Sequence, residues 1–76
     1  MDITPGIYRH YKNKLYRVHF VALHSETQEQ LVVYESLYDN ETSRFWVRPL
    51  KMFTESVVVD GIETKRFTKI EPDEDL

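Results

Sequence analysis

The side chains of this sequence best suited to chemistry are Arg9, His10, His24, Glu26, Tyr34, Trp46 and Arg48. Their chemistry is recognition rather than bond breaking. Guanidinium groups bind anions through a planar fork of donors, and aromatic rings supply a face on which a planar group or a cation can stack. Arg9, His10, His24 and Arg48 are therefore expected to line a concave patch floored by Tyr34 and Trp46. Such a patch suits an anion, a nucleotide or a peptide carboxylate. A competing structural role exists for Arg48, which lies between Val47 and Pro49 and could form a bidentate bond with Glu26 or Glu35.

Other arrangements with catalytic or metal-binding composition fail on geometry. Three imidazoles, His10, His19 and His24, could in principle hold a metal. Positions 19 and 24 differ by an odd number, however, and in one extended strand would project to opposite faces. No Asp or Glu joins them at ligand spacing, so no metal site is expected. His24-Ser25-Glu26 has the residue types of a hydrolytic triad. Adjacent residues of an extended chain alternate in direction and cannot converge as nucleophile, base and orienter. No glycine elbow surrounds Ser25. Ser25 and Thr27 read instead as turn residues that tie local backbone. No catalytic residue and no cofactor are assigned.

The elements that must position these residues are short strands. Nine of the 76 residues are Tyr or Phe, and there is one Trp; Ala22 is the sole alanine. Aromatic and β-branched residues fit a half-buried pleated surface, whereas a chain poor in alanine supports helices weakly. Strands are expected over Ile7–Tyr11, Leu15–His24, Leu31–Tyr38 and Phe45–Arg48. Pro5-Gly6, Lys12-Asn13-Lys14 and Asp39–Ser43 supply breaks. In the second strand the even positions Tyr16, Val18, Phe20 and Ala22 are uniformly apolar and should face the core. Leu50–Phe53 reads as a short helical turn seating Met52 and Phe53. Val57–Val59 and Ile62–Thr64 flank Asp60-Gly61, a pair suited to a type I′ hairpin turn. Arg66–Ile70 completes the pattern, with Phe67 in the core. Five to six such strands predict an all-β domain, either a small SH3-like barrel or a strongly bent antiparallel sheet.

Composition bounds the whole. A chain of 76 residues supports a single small domain, expected over residues 1–70, with residues 71–76 as an acidic, solvated tail. The formal charge of −3 comes from that tail: Glu71, Asp73, Glu74 and Asp75 leave residues 1–70 with ten bases against nine acids. Within the body the signs separate. Pro5 to His24 holds four bases and no acid, Ser25 to Ser43 five acids and no base, and Arg44 to Ile70 six bases against three acids. Pairing of the acidic middle with its basic neighbours is expected to stabilise a sheet. Having no cysteine, the chain is expected in a reducing cytoplasm. No apolar run approaches the roughly 20 residues of a membrane span, and no signal-peptide core is apparent.

Several stretches together resemble a known family. They are Pro5-Gly6-Ile7-Tyr8-Arg9-His10-Tyr11-Lys12, Ala22-Leu23-His24-Ser25-Glu26-Thr27, Leu31-Val32-Val33-Tyr34, Leu37-Tyr38, Trp46-Val47-Arg48-Pro49 with Met52-Phe53, and Arg66-Phe67. In this order they resemble a bacterial family of small proteins classed only as a domain of unknown function, over roughly residues 5 to 70. Asn13 stands where that family usually has glycine after the lysine, and Leu23 where it usually has a basic residue. The first substitution still permits a positive-φ turn; the second removes a charge from any anion site there. The resemblance implies a bacterial, cytoplasmic module and brings no activity, substrate or cofactor.

The resulting expectation is a non-catalytic binding or interaction module for a small anionic or polar ligand or a protein partner. Homodimerisation through an edge strand is compatible with so small a domain. Two alternatives are weighed against it. One is an SH3-like nucleic-acid-binding module, suggested by Tyr8-Arg9-His10-Tyr11-Lys12 and Tyr16-Arg17 but opposed by an isoelectric point near 5.5. The other is a small enzyme using His10 or His24 as general base.

Overall fold

A computed structural model describes residues 3–70. The chain runs β1 (Gly6–His10), β2 (Leu15–Leu23), β3 (Gln30–Ser36), β4 (Phe45–Pro49), α1 (Leu50–Thr54), β5 (Ser56–Val59), β6 (Ile62–Lys65) and β7 (Phe67–Lys69). Five strands form one antiparallel sheet in the order β4-β3-β2-β1-β7, and β5-β6 form a separate hairpin. Among the described residues the domain is all-β with one short helix, as the composition predicts, and has seven strands rather than five or six. It is not a closed barrel, because β4 and β7 remain separate edges; of the two expected forms, the open antiparallel sheet is the one that forms. The expectation of an acidic tail concerns residues 71–76, which lie outside the described residues.

Turn chemistry sets the connections. Asn13 adopts φ 71° in the β1–β2 turn, the left-handed conformation that asparagine tolerates better than most residues. The turn is closed by bonds from His10 N–H to the Lys14 carbonyl (2.8 Å) and from Asn13 N–H to the His10 carbonyl (2.7 Å). Asp60 and Gly61 have φ 52° and 78°, the pair of positive values that a type I′ turn requires. Pro49 ends β4 and serves as the N-cap of α1.

The core lies on one face of the large sheet. Tyr8, Val18, Val32, Tyr34, Leu50, Phe53 and Phe67 form its buried cluster. In α1, Leu50 and Phe53 are buried, since residues three apart share one side of a helical turn. Met52 does not enter the core as expected. It falls on the other side of that turn and is 42% exposed.

The second correction concerns β2. Val18 pairs with Tyr34, but Phe20 pairs with Val33, so the register shifts between them. An inserted residue of this kind reverses the alternation beyond it. Tyr16 and Val18 face the core as expected, whereas beyond the shift Val21 packs against it instead. Phe20 is turned outward and is 58% exposed. Ala22 likewise does not join the buried cluster.

Candidate functional site

Phe67 organises the most chemically loaded part of the core face. Its ring stacks on Phe53 with centroids 3.9 Å apart and planes within 3° of parallel. Tyr16 and Tyr34 meet it edge-on at 5.7 and 5.8 Å. Two polar groups rest on the same ring: the His10 imidazole at 4.9 Å and the Arg48 guanidinium at 5.9 Å. Register explains the convergence. His10 is opposite Phe67 in the β1–β7 pair, and Arg48 is opposite core residue Val32 in the β3–β4 pair.

Arg48 Nε donates to the Tyr34 hydroxyl at 3.3 Å. The bidentate bond from Arg48 to Glu26 or Glu35 does not form. Glu35 belongs to the outer face of the sheet, where its partners are His19 and Arg44. Among the described residues no carboxylate pairs with Arg48. Arg66 flanks His10 as well. Its Nη2 bonds Glu55 at 2.8 Å, while its buried Nε has no hydrogen-bond partner. Sequence reasoning missed Arg66, which was legible only as the residue before a core phenylalanine.

The electrostatics follow from this crowding. Burial, then Arg48, Arg66 and Lys12 in turn, hold the His10 imidazole below its ordinary pKa of 6.5. His10 Nδ1 accepts the Lys12 N–H at 3.1 Å, which leaves Nε2 to carry the proton in the neutral ring. Tyr16 and Tyr38 share a hydroxyl hydrogen bond of 2.6 Å. Burial and that bond push the Tyr16 phenol well above its usual range.

The seven expected site residues do not all meet. His10, Tyr34, Trp46 and Arg48 share the core face. Trp46 is opposite Tyr34, and its indole N–H donates to Ser36 Oγ at 3.3 Å. Arg9 lies on the opposite face because it alternates with Tyr8 and His10. His24 and Glu26 are at the far end of β2, in the turn before β3. There His24 Nδ1 accepts the N–H groups of Glu26 (3.1 Å) and Thr27 (3.3 Å). His24 thus organises a turn, with Thr27 Oγ1 accepting the Glu29 N–H at 3.2 Å. The alternation of tyrosine with arginine is likewise split, since Tyr8 and Tyr16 face inward while Arg9 and Arg17 face outward.

A second polar group occupies the outer face. The buried Glu35 carboxylate accepts from Arg44 Nε and lies 2.9 Å from His19 Nε2. Arg44 first and His19 second hold its pKa below the ordinary carboxylate value. Glu35, Ser36, Asn40, Ser43 and Arg44 help line an open cleft of about 420 Å³. The Asn40 side chain ties that loop, donating to Ser36 Oγ and accepting from the N–H groups of Thr42 and Ser43.

Comparison with known proteins gives a consistent picture. A family model described as "Protein of unknown function (DUF1653)" matches residues 6–69. The structure is similar to a crystal structure of a protein belonging to the same family from Bordetella bronchiseptica, with a TM-score of 0.85 and 33% sequence identity. The alignment covers 95% of this chain and 96% of that one. No curated protein matches the sequence.

Proposed function

The chain belongs to the DUF1653 family of proteins of unknown function, and we propose that it is a non-catalytic binding module whose core-face margin takes a small anion. The observation that carries this reading is the pairing of two guanidinium groups beside His10. Arg48 has no carboxylate partner among the described residues, and Arg66 presents a buried Nε without an acceptor. A buried donor left unpaired costs about 1–3 kcal/mol, and an anionic oxygen would relieve that cost. Half-buried Trp46 supplies aromatic surface beside the charge, so the ligand class extends to anions carrying a planar group. The cysteine-free composition supports placing this module in a reducing cytoplasm, and the similar Bordetella protein supports a bacterial source.

An NMR titration of the folded chain with inorganic phosphate, a nucleoside monophosphate and a short oligonucleotide tests the reading. Resonances of His10, Trp46, Arg48 and Arg66 should shift with the two small anions, and Arg48→Gln should abolish the shift. Unmoved resonances at millimolar phosphate and nucleotide overturn it. Tight oligonucleotide binding that falls steeply with salt, without response to the small anions, would assign the surface to nucleic acid instead.

A further inference from the structure

We propose that β4 is a self-pairing edge, and that two copies of this chain associate through antiparallel β4–β4 contact centred on Val47. The inference goes beyond ligand binding and does not rest on it.

The backbone shows which groups β4 leaves open. Ser36 N–H bonds the Arg44 carbonyl at 2.9 Å, and the pairing continues as Tyr34 opposite Trp46 and Val32 opposite Arg48. Hydrogen-bonded pairs alternate along an antiparallel ladder. The N–H and C=O of Trp46 and Arg48 therefore point to β3, and those of Phe45 and Val47 point away from the sheet. Since β4 is the last strand on its side, the N–H and C=O of Val47 lie on the open side of an edge strand.

The sequence of β4 is complementary to itself in the reversed direction. A two-fold axis through Val47 sets Val47 against its own copy, where the two residues exchange both backbone bonds. Trp46 then lies opposite the Arg48 of the second chain, and Arg48 opposite its Trp46. Those are non-hydrogen-bonded pairs, the closer of the two spacings, and they match a cation with an aromatic ring twice. No like charges face each other. Phe45 meets Pro49, which has no N–H to give, and the Phe45 carbonyl is already satisfied by Ser43 Oγ at 2.7 Å.

The outer face supports the same pairing. Phe20, Val33 and Val47 are consecutive cross-strand neighbours on β2, β3 and β4, and Phe20 and Val47 are 58% and 60% exposed. Joining two copies at Val47 makes one continuous apolar row across both sheets. The opposite edge lacks these features, because β7 has only three residues and ends on Lys69, a residue type that blunts edges. In the pair, each chain contributes Trp46 beside the other's Arg48, so the core-face margins of both copies adjoin.

Sedimentation equilibrium over a concentration series tests this, using the wild-type chain, Val47→Lys, Val47→Cys and a Thr68→Cys control. Val47 points outward, so lysine fits the monomer but sets like charges on the axis. The average mass of the wild type should rise from monomer to dimer, and V47K should raise the dissociation constant about tenfold or more while keeping a dispersed NMR spectrum. Two strands so paired hold their Cα atoms about 5.5 Å apart, within disulfide reach. Mild oxidation should therefore link V47C to itself and leave T68C monomeric. The cysteine variant decides the question if the lysine variant fails to fold. A wild type that stays monomeric with V47C unlinked overturns the proposal. So does V47K dimerising like the wild type, or T68C linking as readily as V47C.

Discussion

The His19 imidazole and the Glu35 carboxylate meet at 2.9 Å across the register shift in β2. The inserted residue brings His19 and Phe20 to the outer face together, which places an imidazole over a carboxylate that Arg44 already holds. Bulges re-aim side chains in this way.

Glu35 sets an acid limit on stability. Its folded pKa lies below the ordinary value, first because of Arg44 and then His19. A carboxyl with a depressed folded pKa contributes stability above its unfolded pKa, and that contribution disappears as pH falls through the folded value. Urea denaturation between pH 7 and pH 3 should show a falling midpoint in the wild type. Glu35→Gln should be less stable at pH 7 and lose less on acidification. Parallel curves for the two proteins would show that the ion pairs contribute nothing to folding.

His10 titrates in the same direction from a different cause. Burial, with Arg48, Arg66 and Lys12 behind it, lowers its folded pKa below 6.5. The unfolded chain therefore takes up this proton first. Stability from neutral His10 is full above about pH 6.5 and is lost as pH falls toward the folded value. The imidazole carbon resonances of His10 should titrate with a midpoint below 6.5, and Arg48→Gln should raise that midpoint. An unchanged midpoint would place Arg48 too far away to act on the imidazole.

Local chemistry was legible in the sequence wherever it was sufficient. Asp60-Gly61 announced its turn, because few dipeptides accept two positive φ values. Asn13 and Pro49 marked their breaks for similar reasons. Phe67 was recognisable as core, though not as the ring on which His10 and Arg48 converge. Alternation failed in β2 because one inserted residue is invisible to a period of two, and Met52 was misplaced because a single helical turn has too few residues to reveal its buried side. Three residues of the expected patch dispersed for a simpler reason. Arg9 and His10 are neighbours on one strand, so they necessarily face apart. His24 and Glu26 sit at the opposite end of β2 from His10, a separation set by strand length rather than by residue type.

The register shift has a mutational signature. Phe20→Ser should leave stability within about 0.5 kcal/mol of the wild type, as for other exposed positions. Val18→Ala, one step before the shift and 1% exposed, should cost about 2 kcal/mol. Thermal or chemical denaturation distinguishes this from unbroken alternation, under which Phe20→Ser would be the more damaging change. A loss of several kcal/mol at Phe20 would contradict the shifted register.

The stacked pair of Phe53 and Phe67 joins α1 to the edge strand β7, and it anchors the polar groups as well as the core. Phe53 is 1% exposed, lies against Tyr8 and Tyr34 edge-on, and packs face to face with Phe67. Truncating a buried phenylalanine costs roughly 3–5 kcal/mol, most of the stability of a domain this small. Phe53→Ala should therefore be largely unfolded at ambient temperature by circular dichroism. Phe53→Leu keeps most of the volume and should fold, but without the stacked ring Phe67 loses its fixed orientation. His10 and Arg48 both rest on Phe67, so their resonances should broaden or shift in Phe53→Leu while those of the distant His24 turn stay in place. Met52→Ala, one residue earlier on the exposed side of the same turn, should change stability by no more than about 0.5 kcal/mol. A Phe53→Leu spectrum unaltered at His10 and Arg48 would separate the core from the polar margin.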